Sequence, residues 1–291
     1  MDPTTRKRLR FWLCLLVTLA LGVIGISNLP RPPLYQGKTV RQWVSLLDMH
    51  VDHQKEREQA SSALIQIGAA ALPELERILA WRPSNMETIR NYAVRLRIAK
   101  PRAIHPLELQ SRACEAAYHL AEGAKVDISG LVPLLQYHFT NGTYAESNSG
   151  RALADAGSTG ITVLTNLLFT GKRSIRDEAG WALGHVNKEP EVIAALVQCA
   201  KGDTDRRLRA NAVMYLRGCD GPAEQLVPIG LTLLGSEDGY DRWAGALLLE
   251  AYLSMPDVRV AFETAISDPD DRVRSVVQAA LKQAAKERSR R

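Results

Sequence analysis

Motifs that carry chemistry are what this 291-residue sequence has least of. It contains no CxxC pair, no Gly-rich phosphate loop and no Gly-x-Ser-x-Gly, which removes the usual signatures of thiol redox or zinc sites, phosphate handling and serine hydrolysis. None of His50, His53, His105, His119, His138 or His185 is followed by Glu. His50 and His53 lie three residues apart, but without Cys or acidic ligands in a matching pattern they do not make a metal site. No catalytic, cofactor-binding or metal residue is therefore assigned, and the chain is expected not to be an enzyme. Aromatics make up only 6% of the residues, and strand signals are poor throughout. Of the four cysteines, Cys14 lies in an apolar run, leaving Cys114, Cys199 and Cys219. Their default role is that of small buried apolar residues; a Cys199–Cys219 bridge is the alternative in an oxidising compartment.

What is present is a period. Leu64, Leu120, Leu153, Leu183, Leu216, Leu248 and Leu281 are separated by 56, 33, 30, 33, 32 and 33 residues. Four residues before each stands a small or slim residue: Ala60, Ala116, Ser149, Ala179, Ala212, Ala244 and Val277. A unit of about 32 residues that recurs in this way is one that cannot bury its apolar face alone and stacks on its neighbours. Each unit reads as two helices. In 174–200, Ala179, Ala182 and Leu183 mark one apolar stripe, and Ile193, Leu196 and Val197 mark another after a polar break. Pro73, Pro190 and Pro256 fall near the start of second helices, where a missing backbone donor costs nothing. Pro133 and Pro228 fall deeper, so those helices start late or bend. The fold expected is all-α, an α-solenoid of about seven two-helix repeats.

An Arg three residues before the small residue completes the motif in Arg57-Ala60-Leu64, Arg176-Ala179-Leu183, Arg209-Ala212-Leu216 and Arg274-Val277-Leu281. This pattern resembles the HEAT repeat in its shorter form, over roughly residues 56–288. The unit is shorter than the usual ~40–47 residues of that family, and the third unit, SNSGRALADAG, has lost both the Arg and the Ala. The tetratricopeptide and ankyrin patterns are absent. HEAT-like hydroxylases hold two irons with His-Glu pairs, which are missing here, and nothing carries the chemistry of bilin lyases, which share short HEAT-like repeats. Second helices of such stacks line the concave side, so the resemblance implies a groove for an extended ligand.

The net charge of +5 is uneven. Residues 1–30 carry +3, residues 31–109 carry +4 and residues 110–291 carry −2. A near-neutral array lacks the basic groove that a nucleic-acid partner requires. A basic cytoplasmic tail (1–10) precedes the uncharged run Phe11–Ser27, so a transmembrane signal anchor is expected over 11–29, with the repeats on the exported side. Cleavage near Ser27 and secretion is the alternative. A Pro-rich spacer (30–38) and the solenoid (39–291) follow, the latter beginning with a helix that Thr39 caps and closing with a cap helix over 271–288. Anchor, spacer and short repeats together resemble bacterial membrane-anchored HEAT-repeat proteins.

The long interval between Leu64 and Leu120 places an insertion near 82–109. Its Arg90, Arg95, Arg97, Lys100 and Arg102 stand unopposed by any acid from 88 to 107 and form a candidate patch for an anionic partner. The competing reading is a surface excursion in which Val94, Leu96 and Ile98 pack on the stack. Counting from each leucine along the second helices places Leu75, Leu79, Leu131, Leu135, Leu164, Leu168, Val227 and Leu231 in the core. Arg77, Trp81, Gln136, Tyr137, Asn166, Phe169, Gln198 and Thr232 then face the groove. This polar-aromatic strip suits recognition of a protein or peptide, although Trp81, Tyr137 and Phe169 equally suit sealing between repeats. The function expected is a membrane-tethered protein-interaction scaffold. The alternatives are an accessory or lyase-like subunit handling a cofactor, and a binder of cell-wall or other anionic polymers.

Overall fold

A computed structural model describes residues 34–47, 54–82, 84, 90, 92, 94–98, 104–141, 146–217, 219 and 221–288. The chain divides into two units, Met1–Val40 and Arg41–Arg291. Within the described part of the first, β1 (Leu34–Tyr35) and β2 (Lys38–Thr39) form an antiparallel hairpin with Leu34 opposite Thr39. Gln36 and Gly37 make its turn with φ of 49° and 74°, the left-handed pair that a two-residue hairpin loop requires. The tail of the expected spacer is thus paired backbone, because Gly37 can adopt the turn conformation without steric cost.

The second unit is helical. After α1 (Val40–Ser45), which starts at the unit boundary, come α2 (Gln54–Ile67), α3 (Leu72–Leu79), α4 (Pro106–Ala124), α5 (Val132–Asn141), α6 (Glu146–Ala154) and α7 (Gly157–Thr170). They are followed by α8 (Arg173–Gly184), α9 (Pro190–Gly202), α10 (Arg206–Leu216), α11 (Ala223–Leu234), α12 (Gly239–Leu249), α13 (Pro256–Thr264) and α14 (Asp271–Arg288). From α2 to α14 each even helix packs on the next even helix, and from α3 to α13 each odd helix touches the next odd one. The result is two layers, the helical-solenoid arrangement. Among the described residues it amounts to six even–odd pairs and the closing helix α14.

The period is physically a packing rule. All seven repeat leucines lie on even helices; the first five are fully buried and Leu248 nearly so, while Leu281 is partly buried in the last helix. Each residue four positions earlier is buried too, Ser149 included. Small residues let neighbouring odd and even helices approach each other closely. A Cβ on Gly160 would stand 1.9 Å from the Leu153 carbonyl oxygen, and one on Gly245 would stand 2.7 Å from that of Gly230, so neither position accepts a larger side chain. Pro73, Pro190 and Pro256 occupy the first turns of α3, α9 and α13. Helix α5 starts late, at Val132, just before Pro133, whereas Pro228 lies inside α11.

Hydrogen bonds stitch the even layer. Asn211 Nδ2 donates to Asp177 Oδ1 at 2.6 Å, and the Tyr240 hydroxyl donates to Asn211 Oδ1 at 2.9 Å, which links α8, α10 and α12. Cys114, Cys199 and Cys219 are free and buried, so the conceivable Cys199–Cys219 bridge is not made. Burial pushes the Cys114 and Cys199 thiols up to about 12, so both stay protonated and unreactive.

Two expectations need correction. No helix among the described residues is long and apolar enough to cross a membrane, which overturns the transmembrane anchor and the single-pass membrane location. Residues 11–29 themselves lie outside the described residues. The seventeen uncharged residues Phe11–Ser27 would reach only about 25 Å as a helix, short of a ~30 Å hydrocarbon core. The packing expected in the insertion also fails: Leu96 and Ile98 are 66% and 77% exposed, and Val94 is only half-buried. Arg97, at φ 60°, ends the local helical turn before those side chains gain a common face.

At the far end, Val273, Val277 and Ala280 of α14 cover Leu249, Val258 and Phe262 in one apolar cluster. Removing everything after Asp270 is expected to expose that cluster and to lower the melting temperature or cause aggregation. Phe262→Ala should cost about 3–5 kcal/mol in denaturant unfolding, as for a fully buried aromatic. Unchanged unfolding curves would show that the tail is not packed.

Candidate binding surface

The last carbonyls of an odd helix have no intrahelical donors, and the even helix that follows lies over them. Arginines of the even helices donate to carbonyls at or just beyond those ends. Arg176 Nε donates to Leu168 O at 2.7 Å, Arg209 Nη1 donates to Asp203 O at 2.7 Å, and Arg274 Nη1 donates to Asp268 O. Arg242 Nη1 donates to Ser236 O and Glu237 O. The same side chains reach one repeat onward: Arg176 pairs with the Asp203 carboxylate, and Arg242 pairs with both oxygens of Asp268 at 2.8 and 3.0 Å. Exposed rungs run beside these, Arg173 to Asp205 and Arg206 to Asp238. In the first repeat Arg57 instead grips the buried Glu115. There Gln110 Nε2 serves Ile78 O, Leu79 O and Trp81 O, and a His138 ring nitrogen meets Leu79 O at 2.9 Å. Burial holds the His138 pKa below its ordinary value, so this ring is neutral at pH 7 and its Nε2–H is the donor.

All eight residues of the polar-aromatic strip lie on odd helices or their ends. Arg77 belongs to α3 and Trp81 lies just past its end, Gln136 and Tyr137 belong to α5, Asn166 and Phe169 to α7, Gln198 to α9 and Thr232 to α11. Arg77, Gln136, Tyr137, Asn166, Gln198 and Thr232 are exposed, while Trp81 and Phe169 are half-buried. Of the core positions assigned with them, Leu75, Leu79, Leu131, Leu135, Leu164, Leu168 and Val227 are buried and Leu231 is half-buried. Tyr137 is 43% exposed, and the Arg82 guanidinium lies 3.7 Å from its ring centroid. Arg82 also donates to Leu79 O and Trp81 O. This fixes the cation over the ring, a cation–π arrangement that links the end of α3 to α5. Arg77 is held by Glu74.

Of the insertion patch, Arg90, Arg95 and Arg97 are exposed, beside exposed Tyr92. Lys100 and Arg102 lie outside the described residues, as do His50 and His53.

A groove of about 550 Å³ opens between α9 and α11. Thr232 is the one strip residue that lines it, together with Lys201, Arg209, Ser236 and Asp241 above Pro228, Ile229 and Leu233. Asp241 is 4% exposed; its Oδ2 accepts from Ser236 Oγ at 3.2 Å and its Oδ1 has no partner. Reading the sequence for apolar periodicity passes over these residues. The signal that finds them is that Asp241 stands three before Ala244, where Arg57, Arg176, Arg209 and Arg274 stand in other units.

Residues 141–217 match the family model for HEAT repeats. The match spans α6 to α10 and therefore takes in the third unit, which lacks both Arg and Ala. It supports a HEAT-repeat protein and does not extend to the bacterial membrane-anchored group. No curated protein matches the chain. HEAT repeats commonly mediate protein–protein interaction.

The loop carboxylates set the acid stability. The hydrogen bond from Arg242 holds Asp268 below the usual carboxylate range, and that from Arg272 brings Asp270 down to about 2. Groups whose pKa is lowered by folding add stability above the unfolded value of about 3.8 and lose it as pH falls through the folded value. The melting temperature is expected to hold down to about pH 4 and to fall between there and about pH 2. Asp268→Asn should lower it at neutral pH and flatten that acid limb, as read by thermal melts across pH.

Proposed function

We propose that this chain is a HEAT-repeat interaction scaffold whose odd-helix face receives an extended segment of a protein partner. In this reading it binds its partner and performs no chemistry on it. The observation that carries the reading is the placement of the strip: Gln136, Tyr137, Asn166, Gln198 and Thr232 stand exposed on successive odd helices that touch in chain order. Such a face offers hydrogen-bonding amides and hydroxyls with one aromatic anchor, and little net charge to reject a neutral segment. The tyrosine is already oriented by Arg82, so little side-chain freedom remains to be lost on binding.

A second reading, an anionic-polymer binder, rests on the exposed Arg95 and Arg97 beside Tyr92 and Leu96. Serine at both arginines should abolish retention on a polyanionic resin at low salt; undiminished retention would remove this reading.

The scaffold reading is tested with Tyr137→Ala and Phe169→Ala. Partner capture by cross-linking should fall with Tyr137→Ala while the melting temperature stays within a degree or so, because Tyr137 is largely on the surface. A drop of several degrees with capture intact would show that Tyr137 seals the repeats and binds nothing. Phe169, half-buried, is expected to lower both.

A further inference from the structure

Between α8 and α12 the arginine–aspartate ladder is interrupted at one rung, and the groove lies at that interruption. Arg176 and Arg242 each reach a carboxylate one repeat onward, Asp203 and Asp268. The corresponding place for Arg209 holds Ser236, and the hydrogen bond Arg209 makes is the one to Asp203 O. In the next helix the arginine position is Asp241, buried, with Oδ1 unpartnered. Both side chains line the groove between α9 and α11 with Lys201. A buried carboxylate oxygen left without a donor is costly, and a guanidinium has five N–H donors to place.

The charges lining the groove narrow the chemistry of a ligand that fits it. A carboxylate would pair with Arg209 and Lys201 but would be brought against Asp241. An ammonium would satisfy Asp241 but would face Arg209 and Lys201. Like-charge contacts of either kind count against a ligand. A carboxamide is neutral, donates N–H to the Asp241 oxygen and accepts from Arg209. Ile229 and Leu233, with Pro228, offer apolar surface for aliphatic residues on either side of it.

We infer that this groove is a pocket for a glutamine or asparagine side chain of a partner peptide. The inference rests on the scaffold reading of the same helical face and narrows its ligand. The test uses the full chain and five end-blocked peptides, Leu-Ala-X-Ala-Leu, in which X is Gln, Asn, Glu, Lys or Leu, with affinities measured by calorimetry. The parent chain should bind the Gln or Asn peptide about tenfold tighter than the Glu and Lys peptides, within the discrimination that polar sites achieve. Asp241→Asn removes the like charge and supplies a donor, so it should move the preference to Glu by about tenfold. A role for Asp241 in folding alone would not reverse a preference. Thr232→Trp, at an exposed lining residue, should block all five peptides without unfolding the chain, and it decides the matter if Asp241→Asn does not fold. Best binding of Glu or Lys by the parent chain overturns the pocket, as does a Gln preference untouched by Thr232→Trp. Loss of selectivity with partner capture through Tyr137 intact removes the pocket and leaves the scaffold. Loss of capture as well removes both.

Discussion

Everything in the stack depends on satisfying the carbonyls at and just beyond the ends of the odd helices, beneath the helices that cover them. Buried backbone acceptors there need donors, and the connections to the next even helix are short. A long side chain from the covering helix is the economical solution, since an arginine brings several fixed donors and a buried aliphatic stem. Arg176, Arg209, Arg242 and Arg274 fill this role at four consecutive junctions, and two of them also clamp the aspartate of the following loop. Where the insertion separates α3 from α4, the arginine position is Ala113. There Gln110, Arg82 and His138 share the work on Ile78, Leu79 and Trp81. The constraint is therefore general, although the residues that meet it are not.

The apolar rule is stricter. Every repeat leucine has a small or slim residue one turn before it because neighbouring odd and even helices pack almost backbone to backbone. Gly160 against Leu153 and Gly245 against Gly230 are the limiting contacts. Each interface involves only neighbours, so stability in such an array is close to a sum of local terms. That is why α6 tolerates serine and a lost arginine: Ser149, Leu153 and Ala152 are buried all the same, and the helices on either side are unaffected.

The leucine period, the two-layer arrangement and the inward faces of most second helices were legible because spacing alone encodes burial. The hairpin at Leu34–Thr39 was not, since two-residue strands carry no periodicity and only Gly37 marks the turn. The insertion misled in a different way. Val94, Leu96 and Ile98 have the composition of core residues, yet spacing places them within a turn that Arg97 terminates, so composition without a shared face does not bury them. The strip residues fell on the odd helices where counting put them, but Arg82 over Tyr137 was invisible, because a cation–π contact between consecutive repeats leaves no mark in either repeat's pattern. The groove was half legible. Its lining residues are unremarkable by composition, and only alignment of the units shows Asp241 in an arginine's place.

A departure from a repeat means different things according to whether the structure closes over it. At α6 the lost arginine leaves a junction packed by Ser149 and by the close approach of Gly150 to the Phe139 ring of α5. At α12 the departure is paired, serine for aspartate at 236 and aspartate for arginine at 241, and the Ser236 hydroxyl joins the two substituted residues directly. A single substitution there would leave either an arginine or an aspartate facing its own sign or nothing. The paired exchange makes this rung one unit more negative than the aspartate–arginine pair it replaces, and it leaves one buried acceptor and one arginine among the residues that line a common opening. An array whose rungs were all alike would present the same surface at each repeat and could not fix the register of an extended ligand. In the reading proposed above, the altered rung at Ser236 and Asp241 supplies that register, in the way a single buried polar residue sets alignment along a coiled coil at some cost in stability.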